Sequence, residues 1–403
     1  MSLSRIIQNA RAALGILHGR RQFGGPVMGS ISLTTRCNIR CIHCYYHSPL
    51  ARTPNFPLVR TARLYGRDLP SGEDMRQYEG IDADPASVRK LIDRLLSMGT
   101  RRFQLSSFGE PLLYPEFLDC AERIRHSGSS CLTNTNGTLL TRHVIDRLVD
   151  CGFNELRVTT MAGTADGYVR THPGSSPGTF AKLRESLLYL AERKAARRRK
   201  NPRLNLVCIV VGPNAGELRA FSDLARELRA DRVTFRPFND VRDPGLAALL
   251  PNREETDLLT ADLKEIRRDL DARGIPNNVG NFLMTFSRRL DTRALYRAIP
   301  CYQGWVSAYI NPLGEVTACC GCSSPLGNIH DEDFAAIWKS PAYADFRRQA
   351  LNLPRGGRYP DGCDCGHCVH HTLNLNVFRA LHPLQGRSGR IRSIAPIPGA
   401  DGE

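Results

Sequence analysis

The run Leu33-Thr34-Thr35-Arg36-Cys37-Asn38-Ile39-Arg40-Cys41-Ile42-His43-Cys44 carries three cysteines spaced Cys-x3-Cys-x2-Cys, and no other feature constrains the chain as tightly. Three thiolates this close can hold three corners of a cubane iron–sulfur cluster. The fourth iron is then left without a protein ligand and open to chemistry. With 14 cysteines in 403 residues, about 0.02 such octets are expected by chance. The competing reading is a structural zinc site, which needs four ligands and usually shows two Cys-x2-4-Cys pairs. His43 could supply a fourth ligand to zinc, but it lies between two of the thiols, too near in sequence for easy tetrahedral closure.

The other cysteines sharpen this reading. Seven fall between Cys301 and Cys368, while Cys120, Cys131, Cys151 and Cys208 sit in apolar helix or strand contexts and read as core residues. Clustered cysteines in a chain of this size, with no export signal, point to metal in a reducing compartment and hence to a cytoplasmic protein. The net charge of +15 suggests a polyanion. However, 49 of the 55 basic residues are Arg, a skew that fits a GC-rich genome, and the densest run, Lys194 to Lys200, ends a helix where cations suit the dipole. Nucleic-acid binding is therefore not expected, and the charge favours an anionic substrate or cofactor. No apolar stretch is long enough to span a bilayer. Residues 2–18 read as an amphipathic helix packed on the main body, with a membrane-surface helix as the alternative.

From residue 29 to 238 short apolar strands alternate with amphipathic helices. Strands are expected at 30–34, 102–106, 131–133, 155–160, 204–211 and 232–236, with helices at 86–98, 115–126, 141–150, 179–199 and 215–228. Six β/α units define an α/β fold class, a partial (β/α)6 barrel whose site lies at the strand C-termini. Residues 47–85 form an insertion that is either a lid over the barrel mouth or a surface insertion with no role, 239–300 a helical bridge, 301–371 a small cysteine-rich domain, and 372–403 a loose tail.

The Cys37-Cys41-Cys44 loop after strand one, followed by Ser107-Phe108-Gly109-Glu110-Pro111 after strand two, resembles the radical S-adenosylmethionine (SAM) superfamily. The resemblance implies that the open iron chelates SAM. One-electron cleavage then gives methionine and a hydrogen-abstracting 5′-deoxyadenosyl radical. Gly109, Glu110 and Pro111 match the family's glycine–glycine–glutamate–proline motif for the methionine ammonium, with Phe108 replacing the first glycine. Asn134 and Asn136, in Asn134-Thr135-Asn136-Gly137, resemble its Thr-Asn-Gly turn. Thr159 falls where a ribose contact is common, Val207 to Val211 where a strand lies along adenine, and His43 joins the cofactor-binding candidates.

Cys301-x12-Gly314-x4-Cys319, Gly327-Asn328-Ile329, Ile337-Trp338 and Cys365-x2-Cys368 resemble the SPASM/twitch extension that follows many such barrels. This implies an auxiliary 4Fe–4S cluster on Cys301, Cys319, Cys365 and Cys368, with Cys363 competing with Cys365, and a zinc ribbon as the bottom-up alternative. The spacing is similar to that of the aminocyclitol dehydrogenase of butirosin biosynthesis. Four thiolates leave no open iron, so the auxiliary cluster would accept an electron. Cys320 and Cys322 remain as spare thiols, either structural or hydrogen donors to a substrate radical.

The resemblance implies an oxidoreductase that dehydrogenates or epimerises a sugar or aminocyclitol-like metabolite. An external donor such as flavodoxin or ferredoxin would supply the electron. About 28 residues precede strand one, leaving no room for the winged-helix peptide-binding domain that opens many SPASM maturases. A maturase acting on a ribosomally made peptide is the alternative, because such domains also occur as separate proteins. A non-catalytic, nucleic-acid-binding metal module is a third reading, which the Gly109-Glu110-Pro111 run opposes. Arg157 and Arg236 at the barrel mouth are candidates to anchor a carboxylate or phosphate.

Overall fold

Short runs of Val, Ile, Leu and Phe form the strands β1 (Met28–Ser32), β2 (Arg102–Ser106), β3 (Ser130–Thr135), β4 (Glu155–Thr159), β5 (Arg203–Val210) and β6 (Arg232–Pro237). They lie parallel in the order β6-β5-β4-β3-β2-β1. The computed structural model describes residues 3–51, 80–106, 108–238, 243–288, 292–363, 365–368 and 370–384. The helices between the strands are α2 (Pro85–Ser97), α3 (Phe117–His126), α4 (Arg142–Asp150), α5 (Ala165–Thr171), α6 (Pro177–Ala196) and α7 (Leu218–Glu227). An N-terminal α1 (Leu3–His18) precedes them, and α8 (Arg253–Ala272) and α9 (Val279–Arg288) follow. The α/β partial barrel is therefore present.

Local chemistry explains the element boundaries. At α2, Asp84 accepts a hydrogen bond from Ser87 N at 2.8 Å and Pro85 occupies the first turn. Val88, Leu91, Ile92 and Leu95 then form one buried stripe. Each strand sends alternate residues to opposite faces. Leu156 and Val158 of β4, and Val233 and Phe235 of β6, face the helices and are fully buried. The Phe235 ring meets Phe221 of α7 with centroids 5.6 Å apart. Glu155, Arg157, Asn205, Thr234 and Arg236 consequently face the inside of the barrel.

Four features differ from the sequence reading. Strand one runs from 28 to 32 rather than 30 to 34, because Leu33 and Thr34 leave the sheet to pair with the segment at 81–83: Ala83 N donates to Leu33 O at 2.9 Å and Thr34 bridges Asp82. A further strand, β7 (Ser307–Ile310), lies parallel to β1, and β8 (Val316–Thr317) turns back antiparallel upon it. The sheet thus runs past residue 301, where a separate cysteine-rich domain was expected to begin. Helix α1 packs inward through Gln8, Gly15 and Ile16, because a glycine at 15 leaves room for the Trp305 ring. That orientation leaves Leu3, Ile6, Ile7, Leu14 and Leu17 exposed. The tail expected from residue 372 begins as a helix, α12 (His371–Leu381), with Asn374, Leu375 and Phe378 buried. Most of the expected lid, residues 52–79, and the tail beyond 384 lie outside the described residues.

The segment after β8 is clamped to the barrel by α10 (Phe334–Lys339) and α11 (Pro341–Asn352). Trp338 Nε1 donates to Gly24 O at 2.8 Å, and Trp305 Nε1 donates to Arg21 O at 3.1 Å. Arg347, almost fully buried, donates to Gly304 O and Trp338 O at 2.8 and 3.0 Å and stacks on the Trp338 and Tyr343 rings. Among the described residues no helix is long and apolar enough to cross a membrane.

Inside the barrel, Arg157 Nε donates to Glu155 Oε1 at 2.6 Å, and Arg203 reaches Glu155 Oε2 at 3.1 Å. Burial pushes the Glu155 carboxyl up, but Arg157, Asn205 and Arg203 together outweigh it and hold the group below its ordinary value of 4.5. A carboxyl depressed in the folded state contributes stability above its unfolded pKa and loses it as pH falls through the folded one. Arg157→Gln is therefore expected to cost about 1–3 kcal/mol at pH 7. In urea titrations that difference should fade as pH drops below 4.5. A cost independent of pH would contradict the pairing.

Candidate active site

The Cys37–Cys44 loop leaves β1 and is laced to the next two strand-end loops. Arg36 carries the first lace. Its Nε and one terminal nitrogen donate to Asp82 at 2.9 and 2.6 Å, and the latter also donates to Leu113 O at 2.7 Å. The Arg36 carbonyl accepts from Glu110 N at 2.7 Å. Gly109 makes this approach possible, since a Cβ there would lie 1.8 Å from Arg36 O. The glycine was expected to admit a ligand; what it admits is the backbone of the cysteine loop.

Glu110 carries the second lace. Its buried carboxylate accepts from Thr135 Oγ1 at 2.6 Å, Asn136 N at 2.7 Å and Leu112 N at 3.1 Å. Burial pushes this carboxyl up despite the three bonds. Asn136 Nδ2 donates in turn to Asn38 Oδ1 at 2.9 Å, inside the cysteine loop. Gly137, with φ of 76°, completes the turn. Asn134 stays in β3, paired in register with Arg157, and Thr159 ends β4 in register with Val207. Phe108, where the family pattern has glycine, is buried edge-on to Tyr46 and Tyr309 with centroids 4.9 and 5.9 Å away. It packs the β2 loop against both the cysteine loop and β7.

Cys37, Cys41 and Cys44 lie within electrostatic reach of one another, with Glu110 beside Cys37 and Cys41. Burial pushes Cys37 up to about 12, Cys41 well above its ordinary value, and Cys44 up. Backbone N–H groups of Tyr46 and His47 point at Cys44 Sγ at 3.4 and 3.3 Å. Three half-buried thiols with raised pKa values are deprotonated only if a cationic group balances them, so this donor set suits iron bound through thiolate. His43 is half-buried beside His172, and desolvation followed by that neighbour lowers it to about 3. Its Nδ1 and the buried Thr160 Oγ1 have no hydrogen-bond partner among the described residues, acceptor and donor positions that a polar cofactor would satisfy.

The second cysteine group converges on Tyr296, whose hydroxyl lies 2.9 Å from Cys368 Sγ and within electrostatic reach of Cys301 and Cys365. Cys319 interacts with Cys301 and Cys368 in turn. Asn374 fixes the tyrosine by donating to its hydroxyl at 2.8 Å, and its side-chain oxygen accepts from Tyr302 N at 2.7 Å. His370 N donates to Cys368 Sγ at 3.3 Å. The four cysteines expected to form one set are thus brought together. Cys363 is engaged elsewhere, in a disulfide with Cys322, because the two residues face each other as an isolated antiparallel bridge. Of the two cysteines considered as hydrogen donors, only Cys320 keeps a thiol. Its Sγ lies 3.5 Å from His370 Nε2 and within electrostatic reach of Tyr46 and Arg236. Among the described residues no three His, Cys, Asp or Glu side chains gather tightly enough to hold a single metal ion. A tetrahedral zinc site needs that closer gathering.

Arg36, Asp82, Thr135, Tyr296 and Asn374 were not singled out from sequence. Only Thr135 carried a signal, as a member of the Asn-Thr-Asn-Gly run. The others act across 46 to 78 residues of chain.

A barrel carrying this cysteine loop at the end of its first strand, with a cysteine-rich extension, defines a radical SAM enzyme with an auxiliary-cluster domain. The chain belongs to that superfamily: the Radical SAM superfamily profile matches residues 31–224, and an iron–sulfur cluster-binding (SPASM) domain matches residues 301–369. Its cofactors are 4Fe–4S clusters and SAM. It is similar to the antilisterial bacteriocin subtilosin biosynthesis protein AlbA of Bacillus subtilis, at 21% identity over 89% of this chain and 71% of that one. It is also similar to the PqqA peptide cyclase of Granulibacter bethesdensis, at 22% identity over 80% and 76%. Streptococcus suis SuiB bound to S-adenosylmethionine shares the fold, with a TM-score of 0.58 at 14% identity over 89% of this chain and 82% of that one.

Gly109→Ala tests the lacing. The added methyl must displace the Arg36 carbonyl, so the variant is expected to reconstitute with about four irons per chain instead of about eight. Full iron loading would show that the loop tolerates the displacement.

Proposed function

We propose that this chain modifies a ribosomally made peptide by hydrogen abstraction. The observation that carries the reading is similarity across both the barrel and the C-terminal extension to proteins named for bacteriocin biosynthesis and for peptide cyclisation. It supports the peptide over the sugar or aminocyclitol that the cysteine spacing first suggested.

Cys37, Cys41 and Cys44 would hold the SAM-binding cluster, and Cys301, Cys319, Cys365 and Cys368 the auxiliary one. Bound in these places, the cofactors supply one-electron cleavage of SAM, the hydrogen-abstracting 5′-deoxyadenosyl radical, and a second redox centre. The protein's part is positional. Three donors already orient the Glu110 carboxylate, leaving a lone pair for the methionine ammonium. His43 and Thr160 would take polar atoms of the adenosyl group. The N–H groups of Tyr46 and His47 stabilise the Cys44 thiolate. An external one-electron donor such as flavodoxin or ferredoxin completes the system.

Anaerobically reconstituted protein with SAM and dithionite is expected to release 5′-deoxyadenosine, and Cys41→Ala to abolish release. Incubation with candidate ribosomal precursor peptides should give, for the true substrate, a product lighter by two hydrogens. Deoxyadenosine release with an unchanged peptide, and turnover of a sugar instead, would overturn the peptide reading.

A further inference from the structure

The inside of the barrel holds a guanidinium with no partner among the described residues. Arg236 is the inward-facing residue near the end of β6, paired in register with Ile209 of β5, while its neighbour Phe235 packs outward on Phe221. Inward-facing Thr234, two residues earlier, spends its hydroxyl on Asn205 Oδ1 at 2.9 Å. Arg236 itself makes no hydrogen bond or ion pair among the described residues. Its side chain is exposed to solvent, and Arg157 and Glu155 of β4 lie within electrostatic reach, as do Cys320 and His370 from the C-terminal segment.

The nearest carboxylate is already occupied. Glu155 accepts from Arg157 at 2.6 Å, Arg203 at 3.1 Å and Asn205 at 3.3 Å. Glu155 is shared by Arg157 and Arg203, so this part of the lumen carries a net positive charge to which Arg236 adds. An exposed guanidinium with no protein anion is open to an external one, and its planar fork matches one carboxylate through two parallel hydrogen bonds. A phosphate dianion would call for a second free cation, and Arg157, the other candidate at the mouth, is not free.

We propose that Arg236 is the specificity-determining anchor for a substrate carboxylate. It would hold an acidic side chain or the C-terminus of the peptide between the cysteine loop and the auxiliary-cluster segment. The carrier of that carboxylate rests on the peptide reading above; the anchor itself does not.

Phenylglyoxal, which reacts fastest with guanidinium groups outside ion pairs, tests this without turnover. The reconstituted holoenzyme is labelled anaerobically and the adducts are mapped by mass spectrometry, with Arg236→Gln confirming the assigned peptide. Arg236 is expected to label faster than Arg157. Saturating acetyl-glutamate N-methylamide, which has a side-chain carboxylate, or acetyl-glycylglycine, which has a terminal one, is expected to slow labelling about tenfold. The better protector identifies which carboxylate binds, and acetyl-glutamine N-methylamide should give no protection. Equal labelling of Arg157, or no protection by either acid, overturns the proposal. Protection by SAM alone would reassign Arg236 to the cofactor's carboxylate, and stronger protection by inorganic phosphate would reject a carboxylate site. Because protection needs no product, its outcome is independent of whether the peptide is the true substrate.

Discussion

The contact between the Arg36 carbonyl and the Gly109–Glu110 backbone is the point on which the site depends. A loop bearing three thiols has no regular structure of its own, and unsupported it would sample many shapes at a cost of about 1–2 kcal/mol per ordered residue. Here the loop after β1 is fixed to the loop after β2 by a single N–H···O bond that only glycine permits. The adjoining carboxylate then fixes both to the loop after β3 through Thr135 and Asn136. The parallel sheet delivers all three loops to the same rim, so the lattice closes over short distances.

A second consequence follows from β7. Because this strand pairs with β1, the segment that carries the auxiliary cysteines is continuous with the sheet that carries the cysteine loop. Tyr309 of β7, Phe108 after β2 and Tyr46 of the cysteine loop form one aromatic contact. Cys320 stands beside it, against His370. The two cysteine groups are thus held by one body, with the buried Arg347 and two tryptophans bracing the outer side. Holding two redox groups at a fixed separation demands such rigidity, because electron transfer falls steeply with distance.

Much of this was legible in the sequence, for identifiable reasons. The six β/α units announce themselves through apolar periodicity, and the cysteine loop through spacing that chance does not produce. The resemblance implied that Cys301, Cys319, Cys365 and Cys368 form one set, and the structure gathers them around Tyr296, a residue the sequence did not mark. Tyr296, Asn374 and the Arg36–Asp82 pair act between residues far apart in sequence, and periodicity carries no such information. The strands β7 and β8 are four and two residues long, too short for an alternation to show. Helix α1 misled because its apolar residues imply a buried face, whereas the actual packing depends on the space left by Gly15. Sequence marked Arg157 and Arg236 alike, and only the geometry separates a paired guanidinium from one with no partner among the described residues.

The central claim is that Cys37, Cys41 and Cys44 hold a cluster whose remaining iron receives SAM. Electron paramagnetic resonance of the reduced protein tests it most directly. Adding SAM to wild-type protein is expected to shift one of two cluster signals and leave the other unchanged. In the Cys37→Ala/Cys41→Ala/Cys44→Ala protein a single signal should remain, indifferent to SAM. A SAM-induced shift that persists in the triple variant would place the open iron elsewhere and contradict the account.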